Sequence, residues 1–324
     1  VLDWLVSADD RTGAFEVAAL LAGEGAPVRV DVGEVGPGPA VVDLGSRGAS
    51  SDRAGELVRR VPASAWRAHK IDSTLRGNWA FELRALDRRV LVVPAWPAMG
   101  RTCANGVVHV HGSPLASVPE ALAAAGMTAD LLGDTLELEQ WLAGTGRVAV
   151  ADALSTAAMD AVAAAVSRSD VVVAGPAGPI GAAFRARFGA GSDAVMPVCE
   201  GPRLVVCASA SSVAREQTAR VRDMLPEVQV ATSDLPAGSL HPAAARELAE
   251  RVRARVCDAG LVVLVGGDTA AAVLGDAPRW VGGFAAPGMP WSRDEHQHGP
   301  VVVTKAGSFG DADALVRLLK GETL

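Results

Sequence analysis

Tyrosine is absent from this chain and aromatic residues make up only 4% of its 324 positions, yet 49% of the residues are hydrophobic. Its cores must therefore be built from Ala, Val and Leu, and the length suits about two domains. Cysteine is scarce as well: Cys103, Cys199, Cys207 and Cys257 are scattered, with no pair at the two-residue separation of a zinc or redox motif. Free thiols in a reducing compartment follow, and the cytoplasm is the expected location. The apolar runs at residues 90–93 and 261–265 are far shorter than the roughly 20 residues of a membrane-spanning helix, and no signal or transit segment is recognisable at the start. A net charge of −7, with the basic residues spread along the chain, argues against a nucleic-acid surface. A small anionic substrate still fits, because screening over roughly 8 to 10 Å leaves nearby Lys and Arg in control of a pocket's field. Neither a Walker A spacing nor a Gly-x-Gly-x-x-Gly after a strand occurs, and there are no heptads, repeats or low-complexity tracts.

What is present is an alternation of short apolar runs with amphipathic stretches. Strands are expected at residues 2–6, 28–32, 41–44, 67–71 and 90–94, with helices at 14–23, 51–61 and 78–88. A small hairpin follows around residues 107–110 and Pro114, then strands 148–150 and 171–174 around helix 156–167. Gly189, Gly191, Pro197, Gly201 and Pro202 interrupt the pattern over residues 188–202 and mark a boundary. A second alternation comes after it: strands 204–207, 228–231, 261–265 and 301–304, helices 213–225, 242–258 and 311–320. The pattern predicts two α/β domains with mainly parallel sheets, residues 1–195 and 196–324.

Functional groups are densest in His69-Lys70-Ile71-Asp72-Ser73-Thr74-Leu75-Arg76-Gly77-Asn78, behind a buried strand. Lys70 and Arg76 suit a carboxylate or phosphate, Gly77 would let backbone amides approach a ligand, and Asp72 could orient a hydroxyl or act as a base. The plain alternative is a strand-to-helix turn in which Asn78 or Thr74 caps the helix. Asp9 and Asp10 end the first strand, on the edge where open α/β sheets bind ligands, and Thr12-Gly13 lead into a helix N-terminus. Gly266-Gly267-Asp268-Thr269 follows a strand and precedes an Ala-rich helix, so its amides and the Thr269 hydroxyl suit phosphate oxygens, unless it is only a glycine turn. His109-Val110-His111 and His296-Gln297-His298 pair imidazoles two apart, but no third ligand is identifiable and no metal site is assigned. Trp96, fixed between prolines, is the tryptophan best placed to line a site.

Ala8-Asp9-Asp10-Arg11-Thr12-Gly13, Gly45-Ser46-Arg47, the His69–Asn78 motif and Pro94-Ala95-Trp96-Pro97-Ala98-Met99-Gly100-Arg101-Thr102 together resemble the N-terminal domain of the four-carbon acid sugar kinases. The resemblance continues through Asn105-Gly106, Gly112-Ser113-Pro114-Leu115, Gly266–Ala270 and Lys305-Ala306-Gly307-Ser308-Phe309-Gly310, in that family's order. It implies an enzyme that phosphorylates threonate, erythronate or their 3-oxo forms with Mg-ATP, in a cleft between a sugar-acid domain and a nucleotide domain. The implied substrate contacts are Asp9, Asp10, Arg47, Lys70, Asp72, Ser73, Arg76 and Arg101. Of these, Arg76 and Lys70 would bind the carboxylate or transferring phosphate, and Asp72 or Asp10 would orient the attacking hydroxyl. Asp72 is preferred as base because it sits between Lys70 and Arg76 in sequence. The implied nucleotide contacts are Ser209, Ser211, Gly266, Gly267, Asp268, Thr269 and Gly307.

The chain departs from that pattern at Arg11, where relatives are often apolar, at Ala208 before Ser209, and at Gly175-Pro176-Ala177-Gly178-Pro179, where Pro176 removes a backbone donor. These departures and a short second half motivate the alternative of a sugar-acid-binding protein impaired in transfer. Small-molecule partners are expected, with no nucleic acid or membrane, and a homo-oligomer is left open.

Overall fold

The computed structural model describes residues 2–23, 25–189, 195–233, 242–296 and 298–322. The chain forms two compact units, Val1–Leu21 with Asp31–Gly191, and Ala22–Val30 with Ser192–Leu324. Residues 190–194, inside the stretch expected to hold the boundary, lie outside the described residues, as does Gln297 between the second pair of histidines.

In chain order the first part of the molecule holds β1 (Leu2–Ala8), α1 (Arg11–Leu21), β2 (Val28–Val32), β3 (Ala40–Asp43), α2 (Ser51–Arg59), β4 (Ser64–Lys70), α3 (Trp79–Ala85), β5 (Val90–Val92), β6 (Arg101–Ala104), β7 (Val107–Val110), β8 (Ser113–Ser117), α4 (Val118–Ala124), β9 (Asp130–Leu132), α5 (Thr135–Ala143), β10 (Val148–Ala151), α6 (Thr156–Val166), β11 (Val172–Gly175) and α7 (Ala177–Phe188). The first unit is built on a parallel sheet in the order β3-β1-β4-β11-β5-β10-β9. Strands β5, β10 and β11 contain only Val, Ala, Leu and Gly and are buried throughout, as strands covered on both faces must be. Ser50, Ser117, Asp134 and Ser155 each start a helix by accepting a backbone N–H three residues on, an interaction worth about 1 kcal/mol apiece. Strands β6 to β8 form a separate three-stranded antiparallel sheet where a hairpin was expected.

The second unit continues with β12 (Arg203–Cys207), α8 (Ser212–Met224), β13 (Gln229–Thr232), α9 (Pro242–Asp258), β14 (Leu261–Val265), α10 (Gly267–Leu274), β15 (Arg279–Ala286), β16 (Met289–Arg293), β17 (Val301–Lys305) and α11 (Ala314–Lys320). Strands β13-β12-β14-β17 run parallel, and β16 and β15 extend the sheet antiparallel. Strand β15 then pairs with residues 28–30 of β2, which is why Ala22–Val30 joins this unit. A linear division at 195/196 does not contain that excursion. Two apolar clusters, centred on Val205, Val263 and Leu315 and on Val206, Leu264 and Leu248, cover the two faces of the sheet. None of the described helices is long and apolar enough to cross a membrane.

In the first unit β1 lies between β3 and β4, and in the second β12 lies between β13 and β14. Strand order reverses at both places, and the crevice outside the carboxyl ends at such a point is where sheets of this class bind ligands.

Candidate active site

Loops leaving the carboxyl ends of β1, β3 and β4 converge on one guanidinium. Arg47 donates from Nε to Asp9 Oδ2 at 2.7 Å and from Nη2 to Asp9 Oδ1 at 2.9 Å, while Nη1 reaches Asp10 Oδ2 at 2.6 Å. Nη2 also stands 3.5 Å from Asp72 Oδ1. Asp9 is fully buried. Asp10 Oδ2 also accepts from the Thr12 hydroxyl at 2.7 Å, and its Oδ1 accepts from the Gly13 amide at 2.8 Å. A Cβ at Gly13 would stand 2.8 Å from Asp10 Oδ1 and 3.0 Å from Lys70 Nζ, so a side chain there would displace one or both.

Asp72 organises the loop after β4. Its Oδ2 accepts from Arg76 Nε at 2.8 Å, from the Thr74 hydroxyl, and from the Thr74 and Arg76 amides at 3.2 and 3.3 Å, and its Oδ1 accepts from Arg76 Nη2 at 2.8 Å. Thr74 thus serves Asp72 rather than capping a helix. Asn78 stands at the cap position of α3, but its side-chain amide donates to Ser46 O at 3.0 Å and Ala49 O at 2.8 Å, tying the loop that carries Arg47 to the first turn of α3. Gly77 has φ +85°, and a Cβ there would lie 3.0 Å from Arg47 Cγ. Its smallness makes room for Arg47, not for a ligand as the sequence suggested. Ser73 is half-buried in the same loop.

Lys70 points elsewhere. It is buried, donates to Ile71 O at 2.9 Å, and lies 3.8 Å from Glu16 Oε2 on α1. Arg101 donates to the Met99 carbonyl, and its charge joins that of Lys70 in acting on Glu16. The cations around Asp72 are therefore Arg76 and Arg47, which corrects the expected sequence neighbour Lys70. Arg11 is also internal, paired with buried Asp43 at 2.8 Å.

These contacts place the acids in different electrostatic environments. Burial pushes Asp9 up to about 6, against the opposing pull of Arg47. Burial acts on Asp72 in the same direction, but the hydrogen bonds from Arg76 and Thr74 and the charge of Arg47 outweigh it, holding Asp72 well below the usual carboxylate range. A carboxylate so held is a weak proton acceptor and a good fixed hydrogen-bond acceptor. The Arg76 side chain is 66% exposed against 8% for Asp72, so the guanidinium's outer edge is open to an oxyanion.

In the second unit the loops after β12, β14 and β17 meet in the same topological position. A Cβ at Gly307 would collide with Ser209 Oγ and approach Ser211 Cβ to 3.6 Å, and one at Gly266, whose φ is +103°, would lie 3.2 Å from Ser209 Cβ. Gly266 N donates to Lys305 O at 2.8 Å, fastening two of the loops together. Gly267 and the exposed Asp268 open α10, where amides lack partners within the helix. Thr269 is buried and its hydroxyl is spent internally, accepting from Ala208 N at 3.0 Å and donating to Val265 O at 2.9 Å. It ties the loop after β12 to the start of α10. Gln217 Nε2 stitches the loop after β17 through Phe309 O, Gly310 O and Asp311 O at 3.0, 3.2 and 2.7 Å. Lys305 is buried beside it, and desolvation brings its amine down to about 8.

Residues 4–132 match the model of a sugar-binding N-terminal domain, and residues 236–315 match that of a nucleotide-binding C-terminal domain. A D-threonate kinase of Bordetella bronchiseptica is 30% identical over 399 aligned positions, covering 96% of this chain and 95% of the relative. The chain belongs to the four-carbon acid sugar kinase family. A second relative, a D-threonate kinase of Cupriavidus necator, is 33% identical over 270 residues, 68% of this chain and 64% of the relative, slightly under two thirds of its length. Solved structures from Salmonella typhimurium LT2 and Haemophilus influenzae superpose with TM-scores of 0.77 and 0.72 at 20% and 19% identity, each covering 98% of this chain and 98% and 99% of theirs, and establish the fold.

Of the residues the family resemblance implied, the structure gathers Asp9, Asp10, Arg47, Asp72 and Arg76 into one network. Lys70 and Arg101 act on Glu16 at the edge of that network, with Lys70 also acting on Asp9, and Ser209, Ser211, Gly266 and Gly307 gather in the other unit. Sequence reasoning missed Glu16 and Gln217. Glu16 had a signal, as the only polar side chain in α1 after Thr12. Gln217 had none, because its partners lie more than 90 residues away and are all backbone carbonyls.

Proposed function

We propose that the protein is an ATP-dependent kinase that phosphorylates a hydroxyl of a four-carbon sugar acid of the threonate class. The observation that carries this reading is the carboxylate–guanidinium network of Asp9, Asp10, Arg47, Asp72 and Arg76 at the carboxyl ends of β1, β3 and β4. A sugar acid offers one carboxylate and a row of hydroxyls. The open edge of Arg76 suits the carboxylate, and Asp10 and Asp72 present acceptor oxygens to hydroxyls. In this reading Asp10, partly exposed, orients the attacking hydroxyl and takes its proton, while Asp72 fixes the substrate's position. Lys70 and Arg101 add positive field near the first turn of α1.

The second unit fits the phosphates of ATP. Gly266 and Gly307 let Ser209 pack closely between the loops after β14 and β17, and the first amides of α10 sit beside them at a positive helix end. Mg2+ would be held mainly by phosphate oxygens and water, with Asp268 the exposed carboxylate at the start of α10. Phosphoryl transfer asks for alignment and charge stabilisation more than covalent help, and ion pairs already fixed in place supply both with little reorganisation. The test is ADP release from Mg-ATP across a panel of C4 and C5 sugar acids, with Arg76→Ala as control. Turnover confined to C4 acids and lost in Arg76→Ala supports the reading. A preference for C5 acids or undiminished Arg76→Ala turnover removes it.

A further inference from the structure

Next to the Arg47 network lies a wholly buried polar chain that the proposed reaction does not use. Ser7, His69 and Glu82 are each 0% exposed. Ser7 and His69 are register partners on β1 and β4, so their side chains leave the sheet on one face, and Ser7 Oγ lies 2.7 Å from His69 Nδ1. His69 Nε2 lies 2.8 Å from Glu82 Oε2 on α3, and Arg67 Nη2 donates to Ser7 Oγ at 3.1 Å. Arg67 occupies one lone pair of Ser7, and the Ser7 and Glu82 contacts engage both ring nitrogens of His69.

The far end of the chain is unfinished. Glu82 Oε1 and Ser46 Oγ are both buried without a hydrogen-bond partner, and the Ser46 hydroxyl is close enough to favour the ionised form of Glu82. A buried acceptor and a buried donor left open next to each other each cost about 1 to 3 kcal/mol until they meet. Ser46 immediately precedes Arg47. Asn78, one turn before Glu82 on α3, already holds the Ser46 carbonyl at 3.0 Å.

We propose that Glu82, oriented by His69 and Ser7, is a positioning residue for Arg47 that acts through the Ser46 hydroxyl. A Ser46–Glu82 contact would hold the Arg47 backbone against α3 and keep the guanidinium on the Asp9 and Asp10 bonds it already makes. An outer carboxylate aims a metal-bound histidine in a comparable way. The inference rests on the sugar-acid reading only for what Arg47 serves.

The test uses Ser46→Ala, Glu82→Gln and their combination in the full chain. One readout is the Arg47 Nε–H signal in 1H–15N spectra, which reports its bond to Asp9. The other is the KM for D-threonate and for ATP. The expected result is a displaced Arg47 signal and a KM for D-threonate raised about tenfold or more. The KM for ATP should stay within about twofold, and the double variant should be no worse than Glu82→Gln alone. If Glu82→Gln fails to fold, Ser46→Ala, which deletes one buried atom, decides alone. A merely structural role would lower kcat through a smaller active fraction, with both KM values and the Arg47 signal unmoved. That outcome, or additive effects of the two substitutions, overturns the proposal. If the wild-type protein turns over no sugar acid, the functional reading fails, and the Arg47 signal still decides this one.

Discussion

Arg47 grips Asp9 through two parallel hydrogen bonds of 2.7 and 2.9 Å, although the carboxylate is fully buried and the guanidinium is partly open to solvent. Such a pair is worth less as a stabiliser than its removal costs, because either partner alone is left as an uncompensated charge. Arg47→Ala should therefore lower unfolding free energy by about 3 to 5 kcal/mol, measured by urea denaturation. Asp9→Asn in the same chain should recover part of that loss. An Arg47→Ala protein with a wild-type midpoint would show that Asp9 does not depend on this cation.

The pH dependence of Asp9 has a definite sign. Its carboxyl is raised from 3.8 to about 6, chiefly by burial. The folded state thus holds this proton more tightly than the unfolded chain, and the group's contribution favours folding below about pH 4 and is lost as the pH rises to about 6. Binding runs the other way, since the grip on Arg47 needs the ionised form. D-threonate affinity should rise through about pH 6 while this component of stability declines, and Asp9→Asn should flatten both. Calorimetry and denaturation across the range check the two together.

Asp10→Asn and Asp72→Asn should separate kinetically. If Asp10 takes the proton, its loss lowers kcat by about 10²- to 10⁴-fold with little change in KM. Asp72→Asn should mainly raise the KM for the acid, because that carboxylate is committed to Arg76 and Thr74. The reverse pattern would restore Asp72 as the base.

Gly307→Ala would push a methyl into Ser209 Oγ at the meeting point of the second unit's loops. Displacing Ser209 there should lower ATP affinity about tenfold or more, about 1.4 kcal/mol, with D-threonate affinity nearly unchanged. Calorimetric titration of each ligand reads both. Loss of the acid with ATP retained would mean the two ligands are assigned to the wrong units.

The alternation of apolar runs made the α/β class and most parallel strands readable, with β2 matched end to end. The misses have local causes. Strand β1 extends to Ala8 because Ser7, polar in sequence, is satisfied inside the core by His69 and Arg67. Helix α7 was obscured by Gly178, Pro179 and Gly181. Proline is tolerated in a first turn, and the glycines admit Trp96 and Leu20, which a Cβ at either would strike. The β15–β16 hairpin was not among the expected strands; Gly282 gives the Trp291 ring its seat there. In the site, residue types could be read from sequence but pairings could not. That Lys70 belongs to Glu16 depends on the face of β4 it leaves, and that Asp72 belongs to Arg76 and Arg47 depends on how the loop after β4 turns.

The account's central claim is tested most directly by mixing the purified protein with Mg-ATP and D-threonate and following ADP and the phosphorylated acid together. The account predicts one ADP for each acid phosphorylated, with turnover falling by orders of magnitude in Arg76→Ala. Binding of the acid with no ADP formed from any C4 sugar acid in the panel would contradict it and leave a sugar-acid-binding protein in its place.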